Sequence, residues 1–326
     1  MKRPLFGLVT FLAIANSLLV VLARQRLPLG AAFISTAICL NVYLAVFLLL
    51  GNNQCLSYLK RKVEERPATT VVFPLCLIAP YLLYATATQS FHWFLFVKLL
   101  TYTLLPALVY LSLRRFPDHW QWQDVVVTLA LWLPLDFRWM RDVWPWPDNS
   151  LAYSLNSLLA TSLGVFLFIC VRRLKQVGYQ YHFEQTDWLF GVRNFLLFAP
   201  IAIPLGLYTG FIRFAKHFAP PWQMALSALG IFLCIAIPEE LLFRGIIQNL
   251  LEKSRLGPWP ALVVTSLIFG ASHLNNGPRP DWRYFLLASI AGLFYGNAYQ
   301  RTRKLMAPAI VHTLVDTIWR GFFRGA

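Results

Sequence analysis

Apolar residues run through this chain in long blocks broken by short polar connectors. Leu5 to Ala23, Leu27 to Leu59, Pro67 to Val97 and Asn194 to Ile212 contain no Asp, Glu, Lys or Arg. A helix that crosses a bilayer needs about 20 mostly apolar residues, and runs of this kind are uncommon in soluble cores. The blocks predict spanning helices over 5–23, 28–50, 69–88, 93–113, 151–171, 190–210, 222–251, 259–274, 284–300 and 305–320. Asp124 to Leu135 is apolar but short, which suits a tilted span, a re-entrant piece or an interfacial helix. The expected fold is an all-α, polytopic transmembrane helical bundle of about 10–11 spans.

Composition supports this class. Of 326 residues, 58% are hydrophobic and 13% charged, against roughly 25% charged in a soluble domain. The basic residues bear on orientation. Lys2-Arg3, Lys60 to Arg66, Arg114-Arg115, Arg172 to Lys175, Lys253 to Arg255 and Arg301 to Lys304 share one side if there are eleven spans. The positive-inside rule makes that side cytoplasmic. Arg213 and Lys216 fall on the other side and break the pattern. The net charge of +15 sits in loops beside apolar spans, where it meets membrane lipids. No nucleic-acid-reading motif accompanies it, so nucleic acid is not an expected partner. The expected location is a multi-pass protein of an inner or plasma membrane with its basic loops cytoplasmic.

Three further readings are bland. Lys2-Arg3 and the following apolar run lack a small-residue cleavage signal, which predicts a retained first span. Cys39, Cys76, Cys170 and Cys234 lie in apolar spans and Cys55 in a loop, with no CxxC spacing, which predicts structural thiols. Trp93, Trp120, Trp122, Trp144, Trp146, Trp188, Trp222, Trp259 and Trp282 lie near span ends, where indoles anchor helices at the bilayer interface.

The chain divides at about residue 185, after the polar break Gln176 to Asp187. Residues 1–185 form an N-terminal transmembrane region of unassigned function, and residues 186–326 hold three polar clusters inside apolar segments. These are Glu239-Glu240 with Arg244, then Phe269-Gly270-Ala271-Ser272-His273, then His312-Thr313-Leu314-Val315-Asp316. Ionisable groups inside a bilayer are expensive and mark reaction centres or ion paths.

The spacing assigns roles. Residues four apart share a helix face, so Arg244 can neutralise Glu240 while Glu239 points elsewhere. Pro238 lacks a backbone donor and can kink the helix beside the carboxylates. Glu239 and His273 then suit water activation, and His312 with Asp316 can hold a carbonyl oxygen as it becomes negative. Each cluster also has a plainer reading, as a buried salt bridge, an interface histidine or a surface ion pair. A zinc ion held by Glu239, His273 and His312 is an alternative, although the HExxH signature is absent. A metal-free site needs no cofactor. Two non-enzymatic functions also fit the clusters: a membrane scaffold or immunity protein using them as a recognition pocket, and a transporter relaying protons. A transporter usually shows matched half-repeats, and none is visible here.

The ordered set Glu239-Glu240-x-x-x-Arg244, Phe269-x-x-x-His273 and His312-x-x-x-Asp316 resembles the CPBP family. These CAAX-protease and bacteriocin-processing membrane proteins include the type II CAAX prenyl endopeptidases. The resemblance spans about residues 190 to 320, and Phe243-Arg244-Gly245 extends it. It implies an intramembrane endopeptidase acting on membrane-anchored or membrane-spanning proteins or peptides. It assigns the base to Glu239, water activation to His273, oxyanion support to His312 and Asp316, and supporting roles to Glu240, Arg244 and Phe269. Asp316 stands where the prenyl proteases look to carry Asn, which weakens the prenylated-substrate assignment more than the protease assignment.

Overall fold

A computed structural model describes residues 29–112, 119–277 and 279–325. The span predicted over 5–23 and the Arg114-Arg115 cluster lie outside the described residues. The fold is all-α, with one two-stranded clasp. Among the described residues, six helices are long and apolar enough to cross a membrane: α1 (Ala31–Leu50), α3 (Thr69–Ala87), α4 (Trp93–Leu111), α6 (Ala152–Val171), α7 (Gln185–Tyr208) and α8 (Pro221–Glu252). The remaining helices are α2 (Asn53–Glu65), α5 (Trp122–Asp136), α9 (Pro258–Ser272), α10 (Trp282–Thr302) and α11 (Met306–Phe322). At the positions of the other predicted spans, α9 and α11 are only 15 and 17 residues long. The longer α10 carries Arg283, Asn297, Gln300 and Arg301.

The described residues divide into two compact units, 29–112 with 138–172 and 119–137 with 173–325. In the first, α1, α3 and α6 pack around Trp144. Its indole is inaccessible and meets Tyr43, Tyr81 and Tyr84 edge-on at 5.1–6.0 Å. Its Nε1 donates to Asn156 Oδ1 at 2.7 Å, and Asn156 Nδ2 donates to the Met140 carbonyl at 3.0 Å. The expectation that Trp144 is an interface anchor is therefore corrected: a buried amide satisfies its one polar atom, so the ring can sit in the core. Trp93, Trp120, Trp122, Trp188, Trp222, Trp259 and Trp282 are exposed. Lys98, inside α4, pairs with Asp142 at 2.6 Å.

In the second unit, α9 and α10 pack closely through small residues. A Cβ on Gly292 would lie 2.9 Å from the Ser266 backbone, and one on Gly270 would lie 2.6 Å from the Phe285 carbonyl. Without a hydrophobic drive between helices in lipid, such contacts let dispersion and polar bonds hold the bundle. The polar stretch after Arg173 straps the helix ends together. Lys175 gives its carbonyl to Asn249 Nδ2 at 2.9 Å and to Lys253 Nζ at 2.8 Å, and Gly178 accepts from the Leu305 amide at 3.0 Å. Gly178 has φ +75 and lies against the Arg303 carbonyl, so both conformation and space call for glycine. At the opposite end of α11, β1 (Ile212–Phe214) pairs antiparallel with β2 (Phe323–Gly325). This clasp, unforeseen from the sequence, ties the exit of α7 to the end of α11.

Candidate active site

α8 supplies the carboxylates. Its backbone widens to π-helical geometry over Phe232–Ala236 and Leu241–Gln248, on either side of the α-helical turn Ile237–Glu240. Pro238 cannot donate to the carbonyl one turn earlier, which removes a bond that would hold the tighter register. π-segments inside α-helices recur at functional sites.

Glu240 turns inward and is fully buried. Its Oε1 accepts from Arg244 Nη1 at 3.2 Å, and its Oε2 lies 3.1 Å from Arg244 Nε. Arg244, also inaccessible, donates through Nη2 to the Gly292 carbonyl at 3.2 Å and lies over the Phe269 ring at 4.5 Å. Burying two charges is tolerable when each has a partner and further hydrogen bonds. The same Glu240 Oε1 lies 2.8 Å from His312 Nδ1. Arg244, Glu240 and His312 thus form one continuous chain joining α8 to α11.

His312 presents its other nitrogen to two more carboxylates. Nε2 lies 3.8 Å from Glu239 Oε2 and 3.9 Å from Asp316 Oδ2. These separations exceed hydrogen-bond length. The Tyr295 ring stacks on the imidazole at 4.9 Å and an interplanar angle of 21°, which fixes its plane.

His273 caps the end of α9. Its Nδ1 lies 2.7 Å from the Phe269 carbonyl. That contact is satisfied when Nδ1 carries the proton and donates, which leaves Nε2 as an acceptor. Its ring packs between Phe269 at 4.6 Å and Tyr284 at 4.9 Å. Phe269 also meets the His312 ring edge-on at 5.9 Å and so touches both histidines.

His273, His312 and Asp316 line one cavity of about 200 Å³. The walls are otherwise largely apolar, from α7, α10 and α11, and Arg320 stands among the lining residues. Glu239 does not line this cavity and reaches it only through its approach to His312. Among the described residues no group of three or more His, Cys, Asp or Glu side chains is arranged to hold a metal ion.

Several participants are absent from the sequence reading. Gln248 and Glu252 continue the four-residue steps of Glu240 and Arg244, a spacing that could have revealed them. Gln248 Nε2 donates to the Gly296 carbonyl at 3.3 Å and to Glu252 Oε1 at 3.0 Å. Glu252 also takes Gln300 at 2.9 Å and pairs with Arg303. Gly292 and Gly296, whose carbonyls receive Arg244 and Gln248, form a G-x-x-x-G pair legible in the sequence. Nothing in the sequence marks Tyr284 or Tyr295.

Comparison with known proteins bears on the same region. Residues 220–318, from α8 into α11, match the family described as type II CAAX prenyl endopeptidase Rce1-like. Over that stretch the chain resembles an Rce1-like/CPBP family domain. It is also similar to the uncharacterized protein YpbD of Bacillus subtilis (strain 168), with 32% identity over 87 residues. That similarity covers 27% of this chain and 40% of the Bacillus protein. No solved structure matches.

Proposed function

We propose that the protein is an intramembrane endopeptidase that hydrolyses peptide bonds of membrane-anchored or membrane-spanning proteins or peptides. The observation that carries this reading is His312, fixed by Glu240 through one nitrogen and turned toward Glu239 and Asp316 with the other, on the wall of a cavity that also presents His273. The Rce1-like match over the same helices supports it.

In this mechanism His273 Nε2 and Glu239 hold and activate water. Glu239 takes a proton as the water oxygen attacks the peptide carbonyl carbon, and His312 donates a hydrogen bond to the oxygen that becomes negative. Asp316 orients the His312 ring. The carbon–nitrogen bond then breaks, and Glu239 returns its proton to the leaving amine. Glu240 and Arg244 keep His312 in place, and Tyr295 limits its rotation. The apolar walls exclude bulk water, which strengthens each of these electrostatic contacts.

The test is cleavage of a panel of lipid-anchored and spanning peptides by the purified protein in bilayers. Wild type is expected to cleave at least one, and Glu239→Gln and His273→Ala to cleave none. Full activity in either variant places the reaction elsewhere.

A further inference from the structure

Helix α5 ends well before residue 220, where the match to the known family begins, yet it packs in the same compact unit as the candidate site. Its buried face runs through Asp124, Val127, Thr128 and Leu131. Trp132 stands four residues after Thr128 and so continues that face. Asp136, one turn later, takes a hydrogen bond from the indole N–H, which orients the ring. Trp132 then meets Phe243 edge-on, with centroids 5.5 Å apart at 78°. Phe243 meets Phe269 in the same way, at 4.9 Å and 83°. Phe269 touches His273 at 4.6 Å and His312 at 5.9 Å. One line of rings thus leads from α5 to both histidines. The Arg244 guanidinium lies against the same rings, 5.8 Å from Phe243, 4.5 Å from Phe269 and 5.2 Å from Tyr295.

We infer that Trp132 is a positioning residue for His273 and His312 and acts through Phe243 and Phe269. The inference rests on the endopeptidase reading for its kinetic arm but not for its labelling arm. Phe243 is buried and sits in the π-helical segment Leu241–Gln248. Such geometry is rare, and helical segments draw most of their stability from tertiary packing. Trp132 supplies that packing at the outer end of the ring line. Edge-to-face pairs favour a particular ring orientation, so each ring restricts the next. Without Trp132, Phe243 gains room to turn, and Phe269 loses the neighbour that fixes its plane against the imidazoles. A reacting group misplaced by about 1 Å loses much of its rate. Trp132 does not line the cavity, so it acts on geometry and not on substrate binding. The expected signature is a lower kcat at unchanged KM.

The experiment uses the full-length protein in bilayers, with the peptides of the cleavage assay and rates referred to folded protein. Trp132→Met keeps an apolar side chain but has no ring. Its kcat is expected to fall about two- to tenfold, the size of one aromatic pair, with KM unchanged. Trp132→Phe restores a ring edge and should recover most of that loss. Val127→Ala removes buried bulk from the same helix outside the ring line and should keep the wild-type kcat. A wild-type kcat in Trp132→Met, or an equal fall in Val127→Ala, overturns the inference. If Trp132→Met does not fold, Asp136→Ala takes its place, because it frees the indole to turn. Its kcat should fall in the same way, and a wild-type value there is equally fatal. If no peptide is cut by wild type, the endopeptidase reading fails. Labelling with diethyl pyrocarbonate, followed residue by residue by mass spectrometry, then decides alone. The rate at His273, relative to the exposed His182 and His217, should rise by a similar factor in Trp132→Met and return in Trp132→Phe. An unchanged rate ends the assignment.

Discussion

At the scale of single residues, adjacent carboxylates do different work because one is fully buried beside a guanidinium and the other keeps partial access. Glu240 accepts from a buried guanidinium and contacts an imidazole, whereas Glu239 keeps partial access. Glu239→Gln preserves shape and removes the base, so kcat should fall by roughly 10²–10⁴ with little change in thermal stability. Glu240→Ala strands Arg244 without its counter-charge. Breaking a buried pair from one side costs about 3–5 kcal/mol, so this variant should unfold early in a detergent titration. Replacing both residues by apolar ones, as in Glu240→Leu with Arg244→Met, should recover much of that stability yet leave the protein inactive, because His312 loses its anchor. Stability that stays low in the double variant would assign the pair another role. In the proposed metal-free mechanism, cleavage is expected to survive prolonged dialysis against a chelator. Loss of activity reversed by added zinc would contradict that expectation.

Among elements, the contact between α9 and α10 positions the helix that ends at His273. The Gly292 Cβ position faces backbone, which no rotamer change can relieve. Gly292→Ala is expected to cost about 1–3 kcal/mol by overpacking. Gly230, on the exposed part of α8, has nothing within 4 Å of its Cβ position. Gly230→Ala should be neutral or stabilising by up to about 1 kcal/mol, and unfolding of the two variants side by side checks the contrast. Much of this was legible in advance. The helices over 28–50, 69–88 and 222–251 follow directly from apolar run length, and the pairing of Glu240 with Arg244 follows from helical periodicity. The stacking of Tyr295 on His312 and the closing of Tyr284 on His273 were not legible. They depend on the rotation and approach of successive helices, which hydropathy does not encode. The clasp was missed because strands of three residues carry no periodicity signal.

For the whole molecule, charge and depth must agree if the cavity is to be reached from one face of a bilayer. The strap after Arg173, the end of α8 and the start of α11 gather Lys175, Lys253, Arg303 and Lys304 at one end of the second unit. The clasp, Arg213 and the cavity residue Arg320 lie at the other end of α11. The strap and the clasp therefore lie at opposite ends of α11, and we propose that the strap faces the cytoplasm. The positive-inside rule favours this arrangement because the strap end also carries Arg173, Arg255 and Arg301. In a variant lacking native cysteines, Lys175→Cys and Lys216→Cys should react with a membrane-impermeant maleimide from opposite faces of sealed, right-side-out vesicles. Lys216→Cys should label at once and Lys175→Cys only after lysis. Labelling of both from outside would mean that the strap and the clasp share a face. Substrates would then have to approach the cavity laterally, from within the lipid.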